Sequence, residues 1–211
     1  MRHHVLAALL STAVLFSLTG CGDTTEPQPE ERIADLVPQF TAEGDDFYRM
    51  PWPSDARFDD DGTLHLDDLP GQDTQLIGRY VEVIGDIEGY STTPVAYFPF
   101  ASEIDPGEES FPNPEQTTGR FSPIQLIDVS EEGCGQRIPV EGKYTVEGDR
   151  YTADHLLTMG AVPGFTLDQR TPYAFVVLRS FGSPNEHGVA RPPVMDDVLS
   201  NGASGELADV Y

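Results

Sequence analysis

The stretch Arg57–Asp68 reads RFDDDGTLHLDD and sets five carboxylates around one Asp61-Gly62 step. Carboxylates at such spacing are the raw material of a calcium loop, which arrays oxygen ligands around a glycine at its sharpest bend. With Gly62 at the glycine position of an EF-hand loop, Asp59 and Asp61 fall on the third and fifth ligand positions and Asp68 on the last. Arg57 then occupies the first, a cation where a carboxylate belongs, and prolines at 51 and 53 replace the flanking helix. The competing reading is a tight turn, since Asp-Gly ahead of the alternating Thr63-Leu64-His65-Leu66 is a strong hairpin signal. The turn is the expectation. A calcium ion held by Asp59, Asp61 and Asp68 is the alternative, and no other cofactor is expected.

Other reactive side chains are scattered. Gly202-Ala203-Ser204-Gly205-Glu206 approaches the G-x-S-x-G nucleophile motif but has Glu206 in place of the last glycine and no hydrophobic strand before it. His65, His155 and His187 form no metal-binding pair. Cys134, in EEGCGQ, has no neighbouring base to activate its thiol and reads as inert. No catalytic residue is expected, and the chain is a poor candidate for an independent enzyme. Its formal charge of −24, from 36 acidic and 12 basic residues with Lys143 the one lysine, disfavours nucleic acid and anionic head groups as partners and promotes solubility.

The elements that would position these residues are mostly strands. Val95–Phe100, Ile124–Val129 and Tyr173–Leu178 are short apolar runs, the last expected to be a central strand. Arg137–Val146 reads as two strands around Glu141-Gly142, with another such turn around Gly148-Asp149. Leu76, Ile77, Tyr80, Val81, Ile84 and Ile87 recur at helical spacing, so one amphipathic helix is expected over Thr74–Glu88, capped by Asp73-Thr74. A second helix is expected over Val194–Leu199 and a third from Glu206. The class is mainly β: an Ig-like β-sandwich with one or two short helices, behind a signal peptide and a flexible tether.

At the amino end, Val5–Leu18 is an apolar run of about 14 residues, suited to the h-region of an export signal and short for a bilayer span. It ends in Leu18-Thr19-Gly20-Cys21, which resembles the bacterial lipobox. The resemblance implies that residues 1–20 are a lipoprotein signal peptide and that Cys21 carries the lipid, which anchors the chain permanently to a membrane. Gly22 after the cysteine is compatible with the outer membrane, with the face undetermined. Residues 21–32, polar and proline-containing, would be the tether. With Cys21 lipidated, Cys134 has no partner for an intrachain disulfide.

Two patches resemble a family. Phe47–Asp55 (FYRMPWPSD), Asp61–Leu64 (DGTL), Gly89–Pro94 (GYSTTP) and Phe98–Phe100 (FPF) follow the order found in the N-terminal region of large lipobox-bearing lipase-like proteins of Gram-negative bacteria. Ser122–Val129 with Thr171–Arg179 looks like strands of the Ig-like module of the same proteins. The resemblance implies a β-rich and helical segment over 33–120, an Ig-like sandwich over 121–192 and the start of a helical region over 193–211. In that family a more C-terminal α/β-hydrolase domain does the hydrolysis, so no catalytic residue carries over. The expected function is a non-catalytic accessory or binding module on a lipid anchor, with a hydrolase domain or subunit as a possible partner. The alternative is part of a split or truncated lipase or esterase, which the end of the chain inside ELADVY favours.

Overall fold

Strands whose residues alternate between two faces can line a core with one face and a second layer with the other, and this chain uses both. The computed structural model describes residues 38–40, 46–50, 52–59, 62–84, 89–182 and 189–201. The signal run, Cys21, the tether, Asp61, His187, Ser204 and the segment from Glu206 lie outside them.

The chain is mainly strand. β1 (Val95–Pro99), β4 (Val140–Thr145) and β5 (Leu156–Ala161) form one antiparallel sheet in the order β1-β5-β4, and β2 (Ile124–Asp128), β3 (Arg137–Ile138) and β6 (Tyr173–Val177) form a second in the order β3-β2-β6. The chain passes from the second sheet to the first at Pro139, which separates β3 from β4. Pro lacks the N–H a ladder needs, so it suits a corner where a strand changes sheets.

The two sheets share one core. Ala96, Val140, Leu157 and Met159 from the first face Ile124 and Leu126 from the second, and Phe100, Ile104 and Phe181 join them. Gly142 permits close approach: a Cβ there would stand 2.9 Å from Ile124 Cδ1 and 3.2 Å from the Phe111 ring. On the other face of β2, Gln125 is buried and satisfied, donating to the carbonyls of Ser122 (2.9 Å) and Arg120 (3.1 Å) and accepting from Arg137 Nε (2.8 Å).

Among the described residues three helices decorate the sheets: α1 (Gln75–Ile84), α2 (Pro114–Thr117) and α3 (Pro193–Asn201). Thr74 Oγ1 accepts from the Ile77 amide at 3.4 Å and so caps α1, while Asp73 pairs with Arg150 at 2.8 Å instead of capping. Ile77, Val81 and Ile84 are half-buried, whereas Leu76, Tyr80 and Val83 form an exposed apolar row on the same helix.

Two strand expectations are corrected. Glu141 and Gly142 lie inside β4, and the break falls at Pro139, because glycine in a strand interior also serves a close approach between sheets. Tyr173–Val177 is an edge strand, with β2 at the centre of its sheet. Leu156–Ala161, which follows the turn at Gly148-Asp149, is the central strand of the other sheet, although its Met159-Gly160 lowers the strand signal.

The β4–β5 hairpin closes through a tight loop in which Gly148 donates to Asp154 Oδ1 at 2.7 Å. A Cβ on Gly148 would overlap the backbone carbonyl of Thr152. Gly148→Ala is therefore expected to lower the stability of the chain by about 1–3 kcal/mol, the usual cost of overpacking. Urea denaturation measures it, and an unchanged midpoint would show that the loop opens without cost.

Candidate functional site

Three of the patches that looked familiar in sequence, FYRMPWPSD, DGTL and GYSTTP, meet around one arginine. Asp55–Arg57 is a single 3-10 turn, started by Ser54, whose hydroxyl accepts from the Ala56 amide at 3.3 Å. The chain then folds back: Phe58 and Leu64 form an antiparallel bridge, the Asp59 amide donates to the Thr63 carbonyl at 2.8 Å, and Gly62 sits at φ +84°. This is a short hairpin connection that needs glycine in the left-handed region. The His65 amide donates to the Arg57 carbonyl at 2.7 Å, and the returning strand brings Asp68 back beside Arg57.

Arg57 is fully buried, at 0% exposure. Its Nη1 donates to Asp68 Oδ1 at 3.2 Å, and the Asp68 side chain is itself 3% exposed. Nη2 donates to the carbonyls of Phe47 (2.6 Å) and Met50 (3.1 Å). The guanidinium lies 4.6 Å from the Phe47 ring centroid and 5.5 Å from that of Trp52. A buried cation is costly unless paired and hydrogen bonded. Here a carboxylate, two carbonyls and two ring faces share that task.

Aromatic rings surround this centre. Phe47 packs on Trp52 at 5.1 Å and on Tyr48 at 5.2 Å, and Tyr90 packs edge-on against Trp52 at 5.1 Å and Phe58 at 5.4 Å. Tyr97 of β1 closes the ring against Tyr48 at 5.4 Å. The Tyr90 hydroxyl donates to the Ser54 carbonyl at 2.6 Å and accepts from the Ser54 amide at 3.1 Å. The Tyr48 hydroxyl donates to the Tyr151 carbonyl at 2.6 Å, tying the cluster to the β4–β5 hairpin. Burial pushes the Tyr48 and Tyr90 phenols up to about 12 and raises that of Tyr97, because the phenolate would lose its hydration.

The proposed calcium ligands part company. Asp68 is engaged by Arg57, Asp59 lies exposed at the turn, and Asp61 is outside the described residues. No group of three His, Cys, Asp or Glu side chains placed to hold a metal ion occurs among the described residues. Cys134 is exposed, His65 is half-buried beside the turn, and His155 adopts φ +51° with its Nδ1 buried and unpartnered among the described residues. Among the described residues no helix is long and apolar enough to cross a membrane. Sequence reasoning missed the role of Arg57, which it weighed only as a misfit in a calcium loop. The signal was present: an arginine and an aspartate eleven residues apart, on either side of a turn that must bring them together.

No family model matches the chain, and neither a curated protein nor a solved structure matches it.

Two outcomes are expected of this cluster. Asp68→Ala leaves a buried guanidinium without its anion and should destabilise the chain by about 3–5 kcal/mol in urea denaturation; a loss below about 1 kcal/mol would mean the pair behaves like an exposed one. The tyrosines set an alkaline limit. Their folded pKa lies above the ordinary value of 10.0, so the neutral phenol is favoured by folding, and this stability is complete below pH 10.0 and lost as pH rises to about 12. A pH titration of tyrosine absorbance should show phenols ionising late and together with unfolding, whereas all eight titrating near 10.0 in the folded chain would contradict the burial.

Proposed function

We propose that the chain is a membrane-anchored bacterial lipoprotein whose folded part is a non-catalytic accessory or binding module. The observation that carries this reading is the fate of the shared motif residues. Phe47, Trp52, Ser54 and Tyr90 are engaged with one another, with Arg57 and Tyr97, or with backbone, so these motif residues hold the fold together. The anchor rests on Leu18–Cys21 and the polar tether behind it, with the lipid on Cys21 inserted in the outer membrane. An Ig-like β-sandwich is supported by two antiparallel sheets facing one core and by the change of sheet at Pro139. Among the described residues each sheet has three strands, against about seven in all for the constant-type Ig pattern.

A second reading, part of a split lipase or esterase, draws on the order of the FYRMPWPSD, DGTL, GYSTTP and FPF patches. Under it the module would support a hydrolase domain supplied elsewhere in the same chain or by a partner subunit.

Replacing the lipidated residue tests the first reading. Cys21→Ser should move the protein from the membrane fraction to the soluble fraction of fractionated cells, and continued sedimentation with membranes would sink the anchor. The purified chain should show no turnover of a short-chain chromogenic ester above buffer, with or without calcium. Turnover abolished by a serine-directed inhibitor would overturn the non-catalytic reading and point to Ser204.

A further inference from the structure

The two sheets end in four strand edges, and three of them are covered or blunted. Bridges Trp52↔Tyr97 and Pro38↔Phe100 close the outer edge of β1. The β3 strand is two residues long. On β4, Glu141 and Lys143 supply charge, and the Val140 amide donates to Thr117 Oγ1 at 2.9 Å. These are ordinary ways of protecting an edge from unwanted pairing.

The fourth edge, β6, has none of them among the described residues. Its sequence YAFVV contains neither charge nor proline, and all five residues are only half-buried. The Leu178 amide donates to Pro123 O at 2.8 Å, and Pro172 O accepts from the Val129 amide at 3.0 Å. Hydrogen-bonded and non-bonded pairs alternate along an antiparallel ladder, so Ala174 and Val176 face β2 and the N–H and C=O groups of Tyr173, Phe175 and Val177 point outward. No other described backbone group pairs with those three.

Charge marks the ends of this edge. Arg170 and Arg179 flank it, both exposed and without an ion-pair or hydrogen-bond partner among the described residues, in a chain with 36 acidic and 12 basic residues. At the Tyr173 end Asp168 offsets Arg170, its amide donating to the Tyr173 hydroxyl at 3.2 Å. At the Val177 end Arg179 has no carboxylate within two residues of it in sequence, so that end holds the larger positive excess.

We propose that β6 is a docking edge for an extended segment of another protein. The segment would add as a strand, apolar at alternate residues, with carboxylates lying beside Arg179. In strand addition the outward amides and carbonyls supply affinity, and side chains and end charges supply selection. A second copy of this chain fits poorly. Antiparallel self-pairing about Phe175 would set Arg170 and Arg179 of the two copies side by side, between bodies of formal charge −24.

Amide hydrogen exchange on the full chain tests this, with two nonapeptide probes sharing a Val-Thr-Val-Thr-Val core, one ended by Glu-Glu at both termini and the other by Lys-Lys. In the unbound monomer Phe175 and Val177 should exchange on the order of tenfold faster than Ala174 and Val176, which are held by β2. The Glu-ended probe should slow Phe175 and Val177 and bind roughly fivefold more tightly than the Lys-ended one. The double variant Arg170→Glu/Arg179→Glu should reverse that preference without changing the melting temperature. Slow exchange of Phe175 and Val177 in the dilute monomer, equal affinity for the two probes, or failure of both to protect these amides would overturn the proposal. So would a dimer in sedimentation whose formation alone protects Phe175, since the occupant would then be a second copy.

Discussion

A guanidinium with no exposed surface has to be satisfied on every side, and that requirement at Arg57 organises the first half of the fold. Asp68 must return to it, which fixes the turn around Gly62 and the bridge from Phe58 to Leu64. The carbonyls of Phe47 and Met50 must point inward, which sets the path of the chain before Trp52. The rings of Phe47 and Trp52 must lie over the cation, and their outer faces then collect Tyr48, Tyr90 and Tyr97. Polar pairing here determines where the aromatic groups can go.

β1 joins this cluster to the sheet core because neighbouring residues of a strand point to opposite faces. Ala96 and Phe98 enter the core between the sheets, while Tyr97 packs into the Arg57 cluster. The same two bodies meet again at the β4–β5 hairpin. Tyr48 bonds the Tyr151 carbonyl, Arg150 pairs with Asp73, and the Tyr151 ring lies against Gly71 so closely that a Cβ there would stand 2.6 Å from it. The exposed Arg150–Asp73 pair adds little by itself. Its value is positional, holding the start of α1 over the hairpin.

Much of this was legible from the residues. VAYFPF and IQLIDV became β1 and β2 because β-branched and aromatic runs between turn residues have few other uses, and Asp-Gly marked its turn through glycine's tolerance of positive φ. The amphipathic spacing of Leu76 to Ile84 gave α1. Tyr173–Val177 was misplaced because hydrophobicity reports burial of side chains and says nothing of whether the backbone has one neighbour or two. Arg57 was misread for a different reason: the turn spacing marks Asp68 as its partner, but the carbonyls and rings from residues 47 to 52 that complete its burial are encoded by no local spacing.

The most direct test of the central claim is a double-mutant cycle on the buried pair, Arg57→Met and Asp68→Leu, alone and combined, by urea denaturation. If the pair organises the cluster, the combined variant should lose less stability than the two single losses added, with a coupling of about 2–3 kcal/mol. Losses that add to within about 0.5 kcal/mol would show that Arg57 and Asp68 act independently, and the cluster would then need another organiser.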